Sequence, residues 1–330
     1  MRRRGYVVLS GVAVGLSSLL TTSLVFAQPD TDATGTRTVP SASQTPGRPG
    51  VAVATAEPRA ARPAPPTLAA RPVRVKVDGF LTWALLDRRT GEITGSPNIR
   101  ATNSTESMIK IWIVADFLRR SADRDTEPSR QRLAQGRTAI RDSDDSAAQS
   151  LYVAGGRDAV VSRMIRMCRL TDTKIAGPRG LGDRGWWSYT RMSARDAVRL
   201  GECVKNGTAA GSRWTEWVLD QMSKVRGTTA PEDQQARRGG GRWGIIDGLP
   251  KAITGREPIA IKNGWTLINA DGKWHLNCLA VADEWVLAVL MRYPGGRGLD
   301  YGAGVCRTVA AQLVTPQPAA APPTGGQSPG

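Results

Sequence analysis

Apolar and polar positions change their period several times along the chain. Phe80-Leu-Thr-Trp-Ala-Leu-Leu86 reads as a strand, Asp87-Arg-Arg-Thr-Gly91 as a turn closed by glycine, and Glu92-Ile-Thr as a short return strand. Val73 to about Ser96 is therefore expected to be a β-hairpin. From Ser107 to Arg120 the period becomes helical. Met108, Ile109, Ile111, Trp112, Val114, Ala115 and Leu118 leave almost no polar face, which predicts a buried central helix. Helical segments follow at Ser146–Ala154, Asp158–Cys168 and Ser193–Lys205, with a glycine-rich loop at 175–185 between the last two. Three strands come late, at Pro258–Lys262, Trp274–Ala282 and Trp285–Met291, and a helix at about Tyr301–Leu313 ends the pattern. Two strands early and three late imply an α/β (α+β) fold. Its five-stranded antiparallel sheet would be closed by distant parts of the chain and flanked by helices, with a mostly helical subdomain inserted.

Both ends fall outside this pattern. Met1-Arg-Arg-Arg is basic, an apolar run reaches Phe26, and Val25-Phe26-Ala27 offers small residues for cleavage, so 1–27 reads as a signal peptide. The run is long enough to span a bilayer. Ser17, Ser18, Thr21, Thr22 and Ser23 dilute it, however, and no stable membrane insertion is expected after the signal is removed. Residues 28–72 and 315–330 are rich in Ala, Pro, Thr and Gly and poor in bulky apolar side chains. They are read as a disordered linker and tail, because they cannot bury enough surface to offset ordering entropy. The domain is then 73–314.

Charge and cysteines refine the picture. Of the net charge of +16, three belong to Arg2, Arg3 and Arg4 and two to the linker, which leaves +11 on the domain. The charge is spread and mostly arginine, without a dense basic run, so no nucleic-acid partner is expected. An exported basic protein suits an anionic cell wall or a substrate that carries a carboxylate. Four cysteines in an exported chain suggest two disulfides. Of three possible pairings, Cys168–Cys203 with Cys278–Cys306 keeps each bond within one layer of the fold. The cysteines are too far apart for a zinc site and His275 is the single histidine, so no metal or organic cofactor is implied.

Three short motifs could carry chemistry. Ser107-Met-Ile-Lys110 is the one S-x-x-K in the chain. Residues three apart share a helical face, so the amine can point at the hydroxyl, and a lysine in a partly dry site can act as base. Ser143-Asp-Asp145 stands at a helix entry, where it serves as a cap and could also relay a proton. Lys262-Asn263-Gly264 ends a strand. It offers a fixed positive charge for a substrate carboxylate and a glycine that a ligand can approach closely.

The order S-x-x-K, S-D-x, K-x-G resembles the signature of class A β-lactamases and penicillin-binding proteins, over nearly the whole domain. The resemblance implies that Ser107 attacks an amide carbonyl, Lys110 activates it and Ser143 shuttles a proton. Asp145, Lys262, Asn263, Gly264 and Trp265 would contact substrate, and the backbone N–H groups of Ser107 and Trp265 would hold the oxyanion. The implied substrate is a β-lactam or a D-alanyl-D-alanine-like wall peptide, and the implied state is a monomer. Three departures stand out. Asp145 replaces the usual Asn and could pair with Lys110, Asn263 replaces Thr or Ser, and no Glu lies between Thr173 and Thr190, where Asp183 is the sole acid. Slow deacylation is expected. The alternatives are a wall peptidase and a non-catalytic wall-binding module that keeps the fold. A Ser-His-Asp hydrolase through His275 is set aside, because His275 lies in a strand-like run as a packed or rim residue and no G-x-S-x-G accompanies it. Trp214 and Trp217 read as a helical packing pair.

Overall fold

The computed structural model describes residues 65–69, 73–175, 186–234 and 239–317, all within one compact unit, Ala60–Gly330. The expected signal peptide lies outside the described residues. In chain order, β1 (Thr67–Leu68) precedes the hairpin β2 (Phe80–Asp87) and β3 (Glu92–Gly95), and β4 (Thr102–Ser104) leads into a 3₁₀ turn at Glu106–Ile109. Four helices follow: α1 (Lys110–Ala122), α2 (Arg130–Arg141), α3 (Asp145–Ala154) and α4 (Asp158–Met167). Next come β5 (Arg191–Ser193), α5 (Ala194–Lys205), α6 (Thr215–Ser223) and the short α7 (Lys251–Thr254). The chain ends with β6 (Ala260–Ile261), β7 (Gly264–Ile268), β8 (Lys273–Val281), β9 (Trp285–Pro294), α8 (Gly298–Leu313) and β10 (Val314–Thr315). Polar residues start several helices as expected: the side chains of Ser129, Asp144 and Ser193 accept from backbone N–H groups of α2, α3 and α5.

The main sheet is antiparallel, in the order β3-β2-β9-β8-β6, with β7 also paired to β8. Early β2 lies beside late β9 over eight residue pairs, from Phe80 opposite Arg292 to Asp87 opposite Trp285. β9 is buried at every position from Trp285 to Met291, which is why it reads as an unbroken apolar run. The sequence predicted one strand ending at Lys262, whereas the structure resumes it as β7. The sheet therefore has six strands where five were expected: past a break at Lys262-Asn263 the same line of chain pairs again with β8, from Gly264 opposite Asn277 to Ile268 opposite Lys273.

α1 is the helical core. Ile111 to Ala115 and Leu118 are almost wholly buried, and Trp112 Nε1 donates to the Val160 carbonyl at 2.8 Å. Two expectations need correction. Ser107 does not open a regular α-helix; it sits in the 3₁₀ turn, and Lys110 is the first residue of α1. The packed domain also reaches past 73–314, because Thr67 and Leu68, placed in the linker, pair with Thr315 and Val314. The disulfides are Cys168–Cys203 and Cys278–Cys306. The first joins the end of α4 to α5, and the second joins β8 to α8. Trp214 and Trp217 pack edge to face, with ring centroids 6.1 Å apart.

Candidate active site

Ser107 is half-buried between the buried Glu106 and Met108. Glu106 has φ +48°, the left-handed region that non-glycine residues seldom occupy. β8 pins this turn from below, because Asn277 Nδ2 donates to the carbonyls of Ser104 (2.8 Å) and Thr105 (3.1 Å). From the side, β7 abuts it at Gly264. A Cβ there would lie 2.6 Å from Met108 N and Thr105 O and 2.8 Å from Ser107 N. The glycine of K-x-G therefore admits the protein's own backbone, where the sequence reading had it admit a ligand.

Ser143 is where the three motifs meet. It sits at φ +58°, just before α3. Its hydroxyl accepts from Lys262 Nζ at 2.9 Å and lies 3.3 Å from Lys110 Nζ. Lys110 Nζ also donates to the Ser143 carbonyl and, at 2.6 Å, to Asp145 Oδ1. Both lysines are fully buried. Burial pushes Lys110 below the usual lysine range, and Asp145 opposes that shift. Burial, and then the charge of Lys110, push Lys262 well below it. Trp187 and Trp265 cover the pair, with Lys110 Nζ 5.2 Å from the Trp187 ring and Lys262 Nζ 5.9 Å from the Trp265 ring.

The predicted residues thus cluster, with differences in detail. Among the described residues the Ser107 hydroxyl makes no hydrogen bond, so the amine three residues on points to Ser143 and Asp145 instead. Asp145 is 80% exposed yet pairs with that buried amine. Asn263 is buried, and its amide donates to the carbonyls of Gly241 (2.9 Å) and Trp243 (2.8 Å). It anchors the neighbouring segment and does not offer those donors to a ligand. Trp265 is half-buried, with Nε1 donating to Gln234 Oε1 at 2.8 Å and its ring edge-on to Trp243. No group of three or more His, Cys, Asp or Glu among the described residues is placed to hold a metal. A cavity of about 770 Å³ opens elsewhere, between the β2–β3 hairpin and α5, and none of the predicted site residues lines it.

No protein-family model matches the sequence. LppW of Mycobacterium tuberculosis H37Rv and of Mycobacterium bovis, provisionally named a lipoprotein, is 28% identical over 205 residues. That match covers 62% of this chain and 60% of the relatives' own length. Among solved structures, a β-lactamase from Desulfarculus baarsii superposes with a TM-score of 0.51 at 14% identity, over 71% of this chain and 92% of its own. PBP-A gives 0.52 at 16%, over 73% and 92%. The fold is that of the β-lactamases and penicillin-binding proteins. At such low identity the likeness speaks for the architecture, and the chemistry of this β-lactamase-like chain rests on its own residues.

Sequence reasoning gave no role to two polar groups beside the site. Glu106 is buried next to Ser107, and its Oε2 accepts from Thr266 Oγ1 at 2.7 Å. His275 is packed, as expected, but also bonded on both sides: Nδ1 is 2.7 Å from Ser104 Oγ and Nε2 is 2.8 Å from Asp271 Oδ2. An acid beside the S-x-x-K and a lone histidine on a central strand were the available signals. Asp183 lies outside the described residues.

Proposed function

We propose that the protein is an exported serine acyl-enzyme that attacks the amide carbonyl of a β-lactam or a D-alanyl-D-alanine-like wall peptide through Ser107. The observation that carries this reading is the Ser143 hydroxyl, within reach of two buried lysine amines at 2.9 and 3.3 Å. Neutral Lys110 takes the proton of Ser107 as its oxygen bonds to the carbonyl carbon. The C–N bond then breaks, and the proton reaches the departing nitrogen through Ser143. Lys262 supplies positive charge for the substrate carboxylate, and the backbone N–H groups of Ser107 and Trp265 receive the oxyanion. Export is supported by the basic, apolar N-terminus, the two disulfides and the name of the LppW relatives. Because 173–190 holds no Glu, deacylation is expected to be about 10²–10⁴ slower than with a placed base.

A second reading, a wall-binding module without catalysis, is favoured by the Lys110–Asp145 ion pair, in which the carboxylate works against burial to keep the base charged. One experiment separates the two. The mature protein is incubated with a reporter penicillin while turnover and intact mass are followed. A stable adduct that is lost in Ser107→Ala supports the acyl-enzyme. An unmodified mass after prolonged exposure supports the module.

A further inference from the structure

The residue before Ser107 is a buried carboxyl group that the reaction above does not use. Glu106 is 4% exposed and held at φ +48°. Strained residues of this kind persist where their surroundings hold them. Here one hold is the 2.7 Å bond from Thr266 Oγ1 to Glu106 Oε2, which ties the turn carrying Ser107 to β7. The other oxygen, Oε1, is buried without a hydrogen-bond partner. Such a group favours its neutral form. Burial raises Glu106 above the ordinary carboxyl range, the hydroxyls of Ser104 and Thr266 act against this, Asp145 adds to it, and Arg191 opposes it.

Behind Glu106 a polar path leads out. Ser104 Oγ is 2.7 Å from His275 Nδ1, and His275 Nε2 is 2.8 Å from Asp271 Oδ2. Ser104, Glu106 and His275 are buried, whereas Asp271, in the turn between β7 and β8, has a side chain 40% exposed. Ser104 has one proton; its hydroxyl is bonded to His275 Nδ1, and the Glu106 carboxyl is close enough to feel that hydroxyl although no hydrogen bond joins the two. An ionised Glu106 would compete with His275 for that proton, so the protonation of the ring would respond to that of Glu106. Ser104 itself, 2% exposed, is beyond the reach of a substrate and is no second nucleophile.

We propose that Glu106 is a positioning residue for Ser107 and that its protonation is coupled, through Ser104, to His275 and Asp271. The positioning role rests on the acyl-enzyme reading above; the coupling does not. Neutral Glu106 keeps β7 against the nucleophile turn and leaves no charge beside the developing oxyanion. Ionised Glu106 adds a second carboxylate near Asp145 and strengthens the grip of Lys110 on its proton. Acylation therefore slows as pH rises through the titration of Glu106. The charged groups that face Glu106 are Lys110 of α1, Asp145 of α3 and Arg191 of β5. Those that face His275 are Asp271, Arg191 and Arg292 of β9.

His275 is the single histidine, so its ring resonances need no assignment. The test is an NMR pH titration of that ring in the parent, Glu106→Gln and Ser104→Ala, with acylation by a reporter penicillin measured over the same range. In the parent, the ring shows its own inflection and a second one above the carboxyl range. Glu106→Gln and Ser104→Ala both abolish the second. Glu106→Gln also moves the alkaline fall in acylation upward. Thr266→Val slows acylation about 10- to 100-fold, as misplacement of a reacting group does, and moves the second inflection of the ring to higher pH, because it removes a hydroxyl that lowers Glu106. A ring titration identical in parent and Glu106→Gln overturns the coupling. A parent-like acylation profile in Glu106→Gln overturns the positioning role. If the parent is never acylated, the acyl-enzyme reading falls and the positioning role with it, while the ring titration still decides the coupling.

Discussion

At the scale of single residues, the site turns on the proton of Lys110. Two effects oppose each other there: burial expels the charge, and Asp145 retains it. Burial is the larger, so Lys110 lies below the usual lysine range, but less far than it would without its partner. Asp145→Asn removes the carboxylate and keeps the shape. The neutral fraction of Lys110 at a given pH should rise, so the acid limb of the acylation profile should move to lower pH and acylation near neutrality should quicken. Quenched-reaction mass measurements across pH check this; an acid limb that stays in place shows that Asp145 does not govern the base. The sequence already carried this ion pair, because an aspartate where an amide is usual can only accept. It did not carry the roles of Asn263 or Glu106. Asn263 was read as facing substrate, yet its donors go to carbonyls some twenty positions earlier, a contact that no spacing encodes.

At the scale of elements, the site depends on how closely β7 approaches the turn before α1. The sequence marked both elements, since S-x-x-K opened a helical pattern and K-x-G stood by a strand. It misjudged the join at each. A 3₁₀ turn precedes α1 because the backbone reverses at Glu106, and a sign change in φ at a glutamate leaves no compositional trace. The strand breaks at Lys262-Asn263 and resumes at Gly264, so it had looked finished. Gly264 is the residue on which the join depends. Gly264→Ala would set a methyl group 2.6 Å from two backbone atoms of the turn, a gap that requires the backbone to move. Overpacking of this kind costs about 1–3 kcal/mol. The expected outcome is a lower melting temperature together with slower acylation of Ser107, measured on one preparation. A parent-like melt with parent-like acylation would show that β7 is free to shift and that its contact with the turn does not matter.

For the whole molecule, the sheet joins the two ends of the domain, and the late strands carry ionisable groups that respond to pH. The closure was legible, because long apolar runs at both ends of the domain could bury themselves only against each other. The charges at the ends of the strands were not, because their partners come from separate loops. Glu257 and Asp283 illustrate this: the backbone N–H of Asp283 donates to Glu257 Oε2 at 2.7 Å, ahead of β6 and at the turn between β8 and β9. Burial, and then the Asp283 carboxyl, push Glu257 up to about 7 from an ordinary 4.5, with Lys205 opposing. A carboxyl raised in the folded state keeps its proton where the unfolded chain has released it. Between about pH 4.5 and 7 the native state thus binds more protons, and this group's contribution to stability falls as pH rises through that window. Glu106, also raised, acts in the same sense, whereas His275 and the two site lysines, all lowered, act in the opposite one. The absolute profile therefore mixes signs, and the informative quantity is a difference. Glu257→Gln cannot ionise, so its stability relative to the parent should improve steadily from pH 5 to 7.5 and level off above that. Paired denaturant melts at matched ionic strength measure it, and a difference that stays flat across the window would mean that Glu257 titrates in the folded protein as it does in the unfolded chain.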